Sequence, residues 1–170
     1  MNSKAALVIG TSRPDGNTWR VLRGANEVVR LPIFDLASMR VSYFDYHHAN
    51  IGDDFITIIE ELLESDTIGL VTQVYWYSVS AQMKTFIDRL SDLLGPRKDL
   101  GRHLRGRRLF LMATGSSKGG IPECMEQMLG LTAEYLGMRY EGSHYSCIVE
   151  DLVIETEVVD RAKMFREANV

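Results

Sequence analysis

Residues 5–18 read AALVIGTSRPDGNT, an apolar run followed by a polar loop and then by the start of a helical pattern. The run at residues 5–9 has the length and composition of a strand that is buried on both faces. Gly10 and Gly16 allow a tight turn, and apolar residues then recur at helical spacing after Asn17. The stretch predicts a strand, a loop and a helix. Backbone N–H groups and the positive end of the helix dipole would meet an anion at the loop.

The composition of this loop favours a single phosphate group as that anion. Thr11, Ser12 and Thr18 supply hydroxyl donors, and Arg13 supplies the one full positive charge. A P-loop needs four residues between its glycines and then a lysine, whereas here five residues separate Gly10 from Gly16 and Asn17 stands at the lysine position. The dinucleotide fingerprint G-x-G-x-x-G is also absent. The alternative is an ordinary turn in which Asn17 or Thr18 caps the helix.

Length and charge limit the class of protein. A chain of 170 residues predicts one domain over residues 1–170. A net charge of −4 with 45% hydrophobic residues argues against a nucleic-acid partner or an anionic membrane. The N-terminus has no signal-peptide pattern and no apolar stretch approaches the length of a membrane span, so we expect a cytoplasmic protein.

The cysteines and histidines give no metal signature. Cys124 and Cys147 form no C-x-x-C pair, which argues against an iron–sulfur cluster, a structural zinc or a disulfide framework. We expect both to be buried, inert thiols. His47 and His48 have no thiol nearby and are expected in a solvated loop. The sequence therefore predicts no metal site.

Strand and helix patterns alternate along the rest of the chain. Further strands are predicted over residues 39–44, 67–72, 109–113 and 139–149, and helical spacing recurs in residues 55–63, 83–94, 125–136 and 158–165. Five strands alternating with helices predict an α/β fold, a doubly wound five-stranded parallel sheet in three α/β/α layers. Ligands of such sheets bind beyond the carboxyl ends of the strands, where the strand order reverses. The loops after strands one, three and four should therefore carry the site.

Two further loops meet this requirement. The loop after the third strand holds three consecutive aromatic residues, against which a flat aromatic ligand could lie; its residues are Gln73, Val74, Tyr75, Trp76, Tyr77 and Ser78. The alternative is that these rings pack at a subunit contact. The loop after the fourth strand is rich in glycine and backbone donors and includes Thr114, Gly115, Ser116, Ser117 and Gly119. Taken alone, it is also typical of a loop that simply leads into a helix.

A phosphate loop, an aromatic loop and a Gly-rich loop together match the parts of flavin mononucleotide (FMN). At these residues the chain resembles the NAD(P)H-dependent FMN reductases and the related flavodoxin-like quinone, azo and nitro reductases, over about residues 5–147. The more specific element is YWYSVSAQMKTFIDR at residues 75–89, which resembles the flavin-ring loop of these enzymes and the helix that follows it. The resemblance implies that Thr11, Ser12, Arg13, Asn17 and Thr18 bind the phosphate. It places residues 74–78 at the ring and ribityl chain and residues 114–119 at the pyrimidine edge.

The resemblance also implies an activity. NADPH or NADH would reduce bound FMN, and a small acceptor such as a flavin, a quinone, an azo or a nitro compound would then take the electrons. No catalytic side chain is required, because the cofactor carries the chemistry. The family and the aromatic surface imply a homodimer or homotetramer. The basic stretch at residues 97–108 is interpreted either as a contact for the 2′-phosphate of NADPH or as a solvated connector.

One position departs from the family pattern, and other functions stay open. Gln73 stands where the family commonly has proline, and its amide is expected to contact the flavin. An electron carrier of the flavodoxin type is the main alternative, and a flavin-free binding domain is another. A phosphoryl-accepting receiver domain needs acidic residues at the ends of strands one and three, where this chain has Thr11 and Gln73.

Overall fold

The structure, a computed structural model, describes residues 4–148 and contains one parallel sheet in the order β2-β1-β3-β4-β5. The strands are β1 (Ala5–Gly10), β2 (Ile33–Asp35), β3 (Thr67–Gln73), β4 (Arg108–Gly115) and β5 (Arg139–Cys147). The strand order reverses between β1 and β3, as in flavodoxin-like folds. The predicted doubly wound sheet is confirmed.

Helices cover both faces of this sheet. They are α1 (Asn17–Val29), α2 (Phe55–Leu62), α3 (Ala81–Arg89), which continues as a 3₁₀ turn over Leu90–Leu94, α4 (Lys98–His103) and α5 (Glu123–Leu136). Leu7 and Ile9 of β1 pack in the core beneath α1, whereas Ala6 and Val8 pack in the core that α2, α3 and α5 share. Within residues 4–148 no helix has both the length and the apolar character to cross a bilayer. The predicted helix at residues 158–165 lies outside the described residues.

The second strand lies earlier in the chain than predicted. The prediction of a strand over residues 39–44 is wrong, because β2 covers Ile33–Asp35 and pairs with β1. Side chains bind the backbone of the predicted segment instead. The N–H of Ser42 donates to Asp53 Oδ2 at 2.8 Å, and its carbonyl accepts from Arg89 Nη1 at 3.1 Å. The backbone N–H and carbonyl of Ser42 therefore bond to side chains and not to a neighbouring strand.

A buried ionic cluster holds this segment against α3. We call it the Arg89 cluster, and it consists of Arg89, Asp53 and Asp92. Arg89 is 1% exposed and donates at 2.6 Å to each carboxylate, and Nη2 donates to the carbonyl of Asn50 at 3.1 Å. Burial alone would raise the pKa of Asp53. Hydrogen bonds from Arg89 and from two backbone N–H groups outweigh burial, so this pKa lies below its ordinary value.

The N-terminus of α3 sits directly on the end of β1. Gly10 permits this approach, because a Cβ atom there would come within 2.8 Å of the backbone nitrogen of Met83. Ser80 caps α3: its Oγ accepts from that nitrogen at 3.1 Å and donates to the Gly10 carbonyl at 2.7 Å. Thr72 Oγ1 accepts from the Ser80 N–H at 3.0 Å. These bonds fix both ends of the loop over residues 74–79 at the carboxyl edge of the sheet.

Candidate functional site

An open cleft of about 280 Å³ lies at the carboxyl ends of β1, β3 and β4. This is the edge at which the strand order reverses, where ligands of such sheets bind. Its lining residues are Thr11, Arg13, Gly16, Asn17, Thr18, Gln73, Val74, Tyr75, Thr114, Gly115, Ser116 and Ile148. Ten of the sixteen residues predicted to bind a cofactor are brought together here.

Helix α1 points its N-terminus at the cleft. Its N-cap is Gly16, which has no side chain to bond the first-turn N–H groups, so the alternative that Asn17 or Thr18 caps the helix is wrong. Both residues lie inside the first turn and line the cleft. A helix start without a side-chain cap presents free N–H donors and the positive end of the dipole. The arrangement suits an anion.

Arg13 adds a full positive charge beside these donors. Within residues 4–148 its guanidinium makes no hydrogen bond or ion pair, and it lines the cleft. Its backbone is held in place: the carbonyl accepts from Thr11 Oγ1 at 3.1 Å and from the N–H of Gly16 at 3.3 Å. The loop is therefore braced through its backbone, while the charged end of Arg13 faces solvent and the cleft.

The predicted hydroxyl donors differ in what they leave for a ligand. Thr11 uses its hydroxyl hydrogen on the Arg13 carbonyl. Thr18 Oγ1 and Thr114 Oγ1 lie 2.6 Å apart in a buried hydrogen bond that joins α1 to β4, so one of the two hydroxyls keeps its hydrogen. Ser12 is exposed outside the lining and accepts from Gln73 Nε2 at 3.3 Å, so its own hydrogen is also free.

The three aromatic residues after β3 take two different positions. Tyr75 lines the cleft and is joined to Ser78 by two backbone hydrogen bonds of 2.9 Å. Trp76 and Tyr77, with φ angles of 49° and 63°, occupy the left-handed centre of this turn and are 95% and 73% exposed. The two central residues and Ser78 lie outside the cleft lining. Self-association through the exposed rings stays a prediction.

The Gly-rich loop also divides. Thr114, Gly115 and Ser116 line the cleft, whereas Ser117 and Gly119 lie outside it and bond to each other, with Gly119 N–H donating to Ser117 Oγ at 3.1 Å. The Tyr145 hydroxyl steadies this part by donating to the Ser117 carbonyl at 3.0 Å. Burial raises the pKa of Tyr145, which keeps the hydroxyl protonated as a donor.

Sequence reasoning missed two lining residues, Gly16 and Ile148. Gly16 was assigned only to the turn. Ile148 directly follows β5, and its N–H donates to the Gly115 carbonyl at 2.7 Å. Ile148 was missed because the sequence predicted it inside a strand over residues 139–149 and only the loops after strands one, three and four were expected to carry the site.

The expectation of two buried thiols is wrong. Cys124 and Cys147 are both exposed. Cys124 lies on the first turn of α5 and donates to the Tyr77 carbonyl at 3.1 Å, and Cys147 ends the edge strand β5. Burial was expected because a free cysteine is usually buried, but a helix start and a strand end at the sheet edge leave both side chains at the surface.

The remaining polar motifs lie in structural contacts. His47 is exposed as expected, but His48 Nδ1 lies 2.7 Å from Asp92 Oδ1, which links the loop to the Arg89 cluster. In the basic stretch, Arg97 pairs with Glu60 at 3.0 Å. Residues 107–108 lead into the amino end of β4, opposite the cleft. This placement agrees with a connector and disfavours a role in binding the 2′-phosphate of NADPH.

Comparison with known proteins agrees with the cleft and the fold. The sequence model described as NADPH-dependent FMN reductase matches residues 3–151. A Bacillus subtilis protein, YwqN, named provisionally as an NAD(P)H-dependent FMN-containing oxidoreductase, is 27% identical over 154 residues, 82% of each chain. An iron–sulfur flavoprotein of Methanocaldococcus jannaschii is 28% identical over 74% of this chain and 69% of its own. The solved structure of the Trp repressor binding protein of Bacillus subtilis superposes with a TM-score of 0.73 at 22% identity, covering 94% of both chains.

Proposed function

The chain belongs to the NADPH-dependent FMN reductase family, and we propose that it holds FMN in the cleft and passes electrons from NAD(P)H to a small flat acceptor. The acceptor classes are a free flavin, a quinone, an azo compound or a nitro compound. The observation that carries the proposal is the uncapped start of α1 beside the guanidinium of Arg13, which has no partner among residues 4–148.

The phosphate end of the cleft fits FMN in charge and in donors. First-turn N–H groups of α1, the Arg13 guanidinium and one hydroxyl of the Thr18–Thr114 pair converge on one region. Charge-assisted hydrogen bonds of this kind favour a terminal phosphate dianion. The loop has no second anion site of the P-loop or dinucleotide type, so FMN fits it better than FAD does.

The part of the cleft beside Tyr75 fits a flat ring. Val74 and Tyr75 supply apolar and aromatic surface, and the neighbouring backbone of residues 114–116 supplies polar groups, with the Val74 N–H donating to the Thr114 carbonyl at 2.7 Å. The loop that carries Tyr75 is fixed through Ser80 and Thr72, so the ring contact is preorganised. A flat aromatic ligand with a polar edge matches this combination of surfaces.

When bound, FMN would supply the chemistry that carries a hydride's two electrons from the nicotinamide to the acceptor, and the protein need only position it. The tasks of the chain are then to hold the phosphate, to fix the ring and to leave one side of the ring accessible. The open form of the cleft and the exposed Trp76 and Tyr77 at the turn support access by flat substrates.

Anaerobic stopped-flow absorbance of the purified protein loaded with FMN tests the proposal. We expect NADH or NADPH alone to bleach the flavin and a naphthoquinone or free flavin to restore it, with ping-pong kinetics because both substrates use one face. A control with the flavin but no protein sets the background rate. Persistence of the oxidised spectrum with excess of both nicotinamides, with reduction only by a separate reductase, would replace the enzyme by an electron carrier.

A further inference from the structure

We infer, on the basis of the proposed function, that Gln73 recognises the ribityl chain of the flavin through its side-chain amide. The residue would make this chain selective for flavins that carry an intact polyol between ring and phosphate. The inference rests on the position of Gln73 in the cleft and on the hydrogen-bonding state of its two amide ends.

Gln73 lies between the two ends of the cleft. It is the last residue of β3, paired in register with Thr114, whose hydroxyl bonds to Thr18 on α1. Its side chain crosses toward the loop after β1, where Nε2 donates to Ser12 Oγ at 3.3 Å. A ligand with its phosphate at the start of α1 and its ring beside Tyr75 must pass this amide with its connecting chain.

The amide has an acceptor without a donor. Within residues 4–148, Gln73 Oε1 is buried and has no hydrogen-bond partner, while Nε2 is already bonded to Ser12. Buried polar atoms are nearly always paired, and an unpaired one is a site where a ligand group gains affinity. The last side-chain torsion of glutamine is soft, so a bound ligand can turn Oε1 toward the cleft by rotating the amide, and the exposed Ser12 hydroxyl then bonds to water in place of Nε2.

The ribityl chain has the complementary chemistry. Each of its hydroxyl groups donates one hydrogen bond and accepts others, and a carboxamide offers one acceptor and a pair of donors. A ribityl hydroxyl donating to Gln73 Oε1 would satisfy the orphan acceptor. Neither the phosphate nor the ring supplies a hydroxyl donor between the two ends of the ligand. A hydrogen bond to Gln73 Oε1 is therefore specific for the ribityl chain.

The chain provides a matched control. Gln82 on α3 also has a buried Oε1 without a partner among the described residues, but it lies outside the cleft lining. Gln73→Leu and Gln82→Leu therefore make the same chemical change, one inside the cleft and one outside it. Any effect of simply removing a buried orphan oxygen appears in both variants.

The test measures affinities of the apoprotein for FMN, riboflavin and lumiflavin, which has a methyl group in place of the ribityl chain. We expect Gln73→Leu to weaken FMN and riboflavin about tenfold and to leave lumiflavin unchanged, because one hydrogen bond to the chain is lost. The thermal midpoint of apo Gln73→Leu should not fall, since an unpaired buried atom is removed. Gln82→Leu should bind all the flavins as the wild type does.

Equal weakening of all the flavins by Gln73→Leu, or no change in FMN affinity, would overturn the inference. If Gln73→Leu fails to fold, Gln73→Glu replaces it. The glutamate keeps oxygens that accept from a hydroxyl but adds charge near the phosphate, so riboflavin should bind normally and FMN more weakly; loss of both would contradict the inference. A wild-type protein that binds no flavin would instead refute the proposed function.

Discussion

Two arginines show how differently this molecule uses the same side chain. Arg89 is 1% exposed, and its guanidinium donates to two carboxylates and to two backbone carbonyls. Arg13 is exposed at the cleft, and its guanidinium has no partner within residues 4–148. One positive charge is therefore paired inside the fold, whereas the other has no partner in the described part of the chain.

The same contrast extends to the surroundings of each arginine. The guanidinium N–H groups of Arg89 already donate to the carbonyls of Ser42 and Asn50 in the segment after β2. Around Arg13, the start of α1 has no side-chain cap and Gln73 Oε1 has no donor in the described chain. We therefore expect binding and stability to depend on different arginines, and variants of the two should separate these properties.

The largest effect is expected from Arg89→Met. Removing the guanidinium leaves the buried carboxylates of Asp53 and Asp92 without their shared cation, and breaking a buried ion pair in this way destabilises proteins by about 3–5 kcal/mol. We expect a loss of that size in the free energy of unfolding, measured by urea denaturation. FMN affinity of the fraction that remains folded should change little, because the cluster does not line the cleft.

Arg97→Met is the matched control for this variant. Arg97 also pairs with two carboxylates, Glu60 and Asp99, but the three side chains are 29–60% exposed, so water replaces the lost contacts. The urea midpoint of Arg97→Met should stay near that of the wild type. Similar losses of unfolding free energy in the two variants would show that burial does not determine how much the Arg89 cluster stabilises the fold.

Arg13→Gln should have the reverse effect of Arg89→Met, lowering FMN affinity and leaving stability unchanged. The variant should weaken FMN about ten- to a hundredfold, since hydrogen bonds to charged groups contribute about 1.5–3 kcal/mol and each 1.4 kcal/mol is tenfold. Riboflavin, which lacks the phosphate, should bind as before, and the urea midpoint should not move. Fluorescence titration with both ligands measures the difference.

Arg23→Gln supplies the control for charge alone. Arg23 lies on α1 near the same loop, but its guanidinium donates to the Pro14 carbonyl at 3.2 Å and lies over the Trp19 ring. Arg23→Gln changes the net charge by the same amount as Arg13→Gln but leaves the Arg13 guanidinium in the cleft lining. An equal loss of FMN affinity in Arg23→Gln, or a loss of riboflavin affinity in Arg13→Gln, would contradict the phosphate assignment.

The part of the fold that sequence predicted well is local. The strand, loop and helix of residues 5–29 follow from an apolar run, two glycines and a helical pattern that are adjacent in the chain. The second strand was misplaced because Asp53 and Arg89, remote from residues 39–44, bind the backbone there. Periodicity within the segment carries no sign of those distant side chains.

The candidate site shows the same limit. Loop order placed Thr18 and Thr114 in one site, but not the hydrogen bond between their hydroxyls across 96 positions of sequence. Nor does a run of aromatic residues reveal that Trp76 and Tyr77 have left-handed backbone conformations and lie outside the cleft lining. The composition of a loop predicts which chemistry is present, whereas the direction of each side chain depends on backbone geometry.

The smallest effect is expected in the turn at Trp76 and Tyr77, a third region in which the fold is mildly strained. Both residues have positive φ angles, which a two-residue hairpin turn normally gives to asparagine and glycine. Trp76→Asn with Tyr77→Gly should raise the free energy of unfolding by about 1 kcal/mol, since relief of strain exceeds the added chain entropy of glycine. It should also slow quinone reduction, because the exposed rings are lost.

The control, Trp76→Ala with Tyr77→Ala, removes the rings but keeps Cβ atoms in left-handed positions, so it should slow the reaction equally without gaining stability. Urea denaturation and stopped-flow absorbance measure the two properties. If the Asn-Gly and Ala-Ala variants are equally stable, the turn stores no strain. If both variants react at the wild-type rate, the exposed rings of Trp76 and Tyr77 do not contribute to quinone reduction.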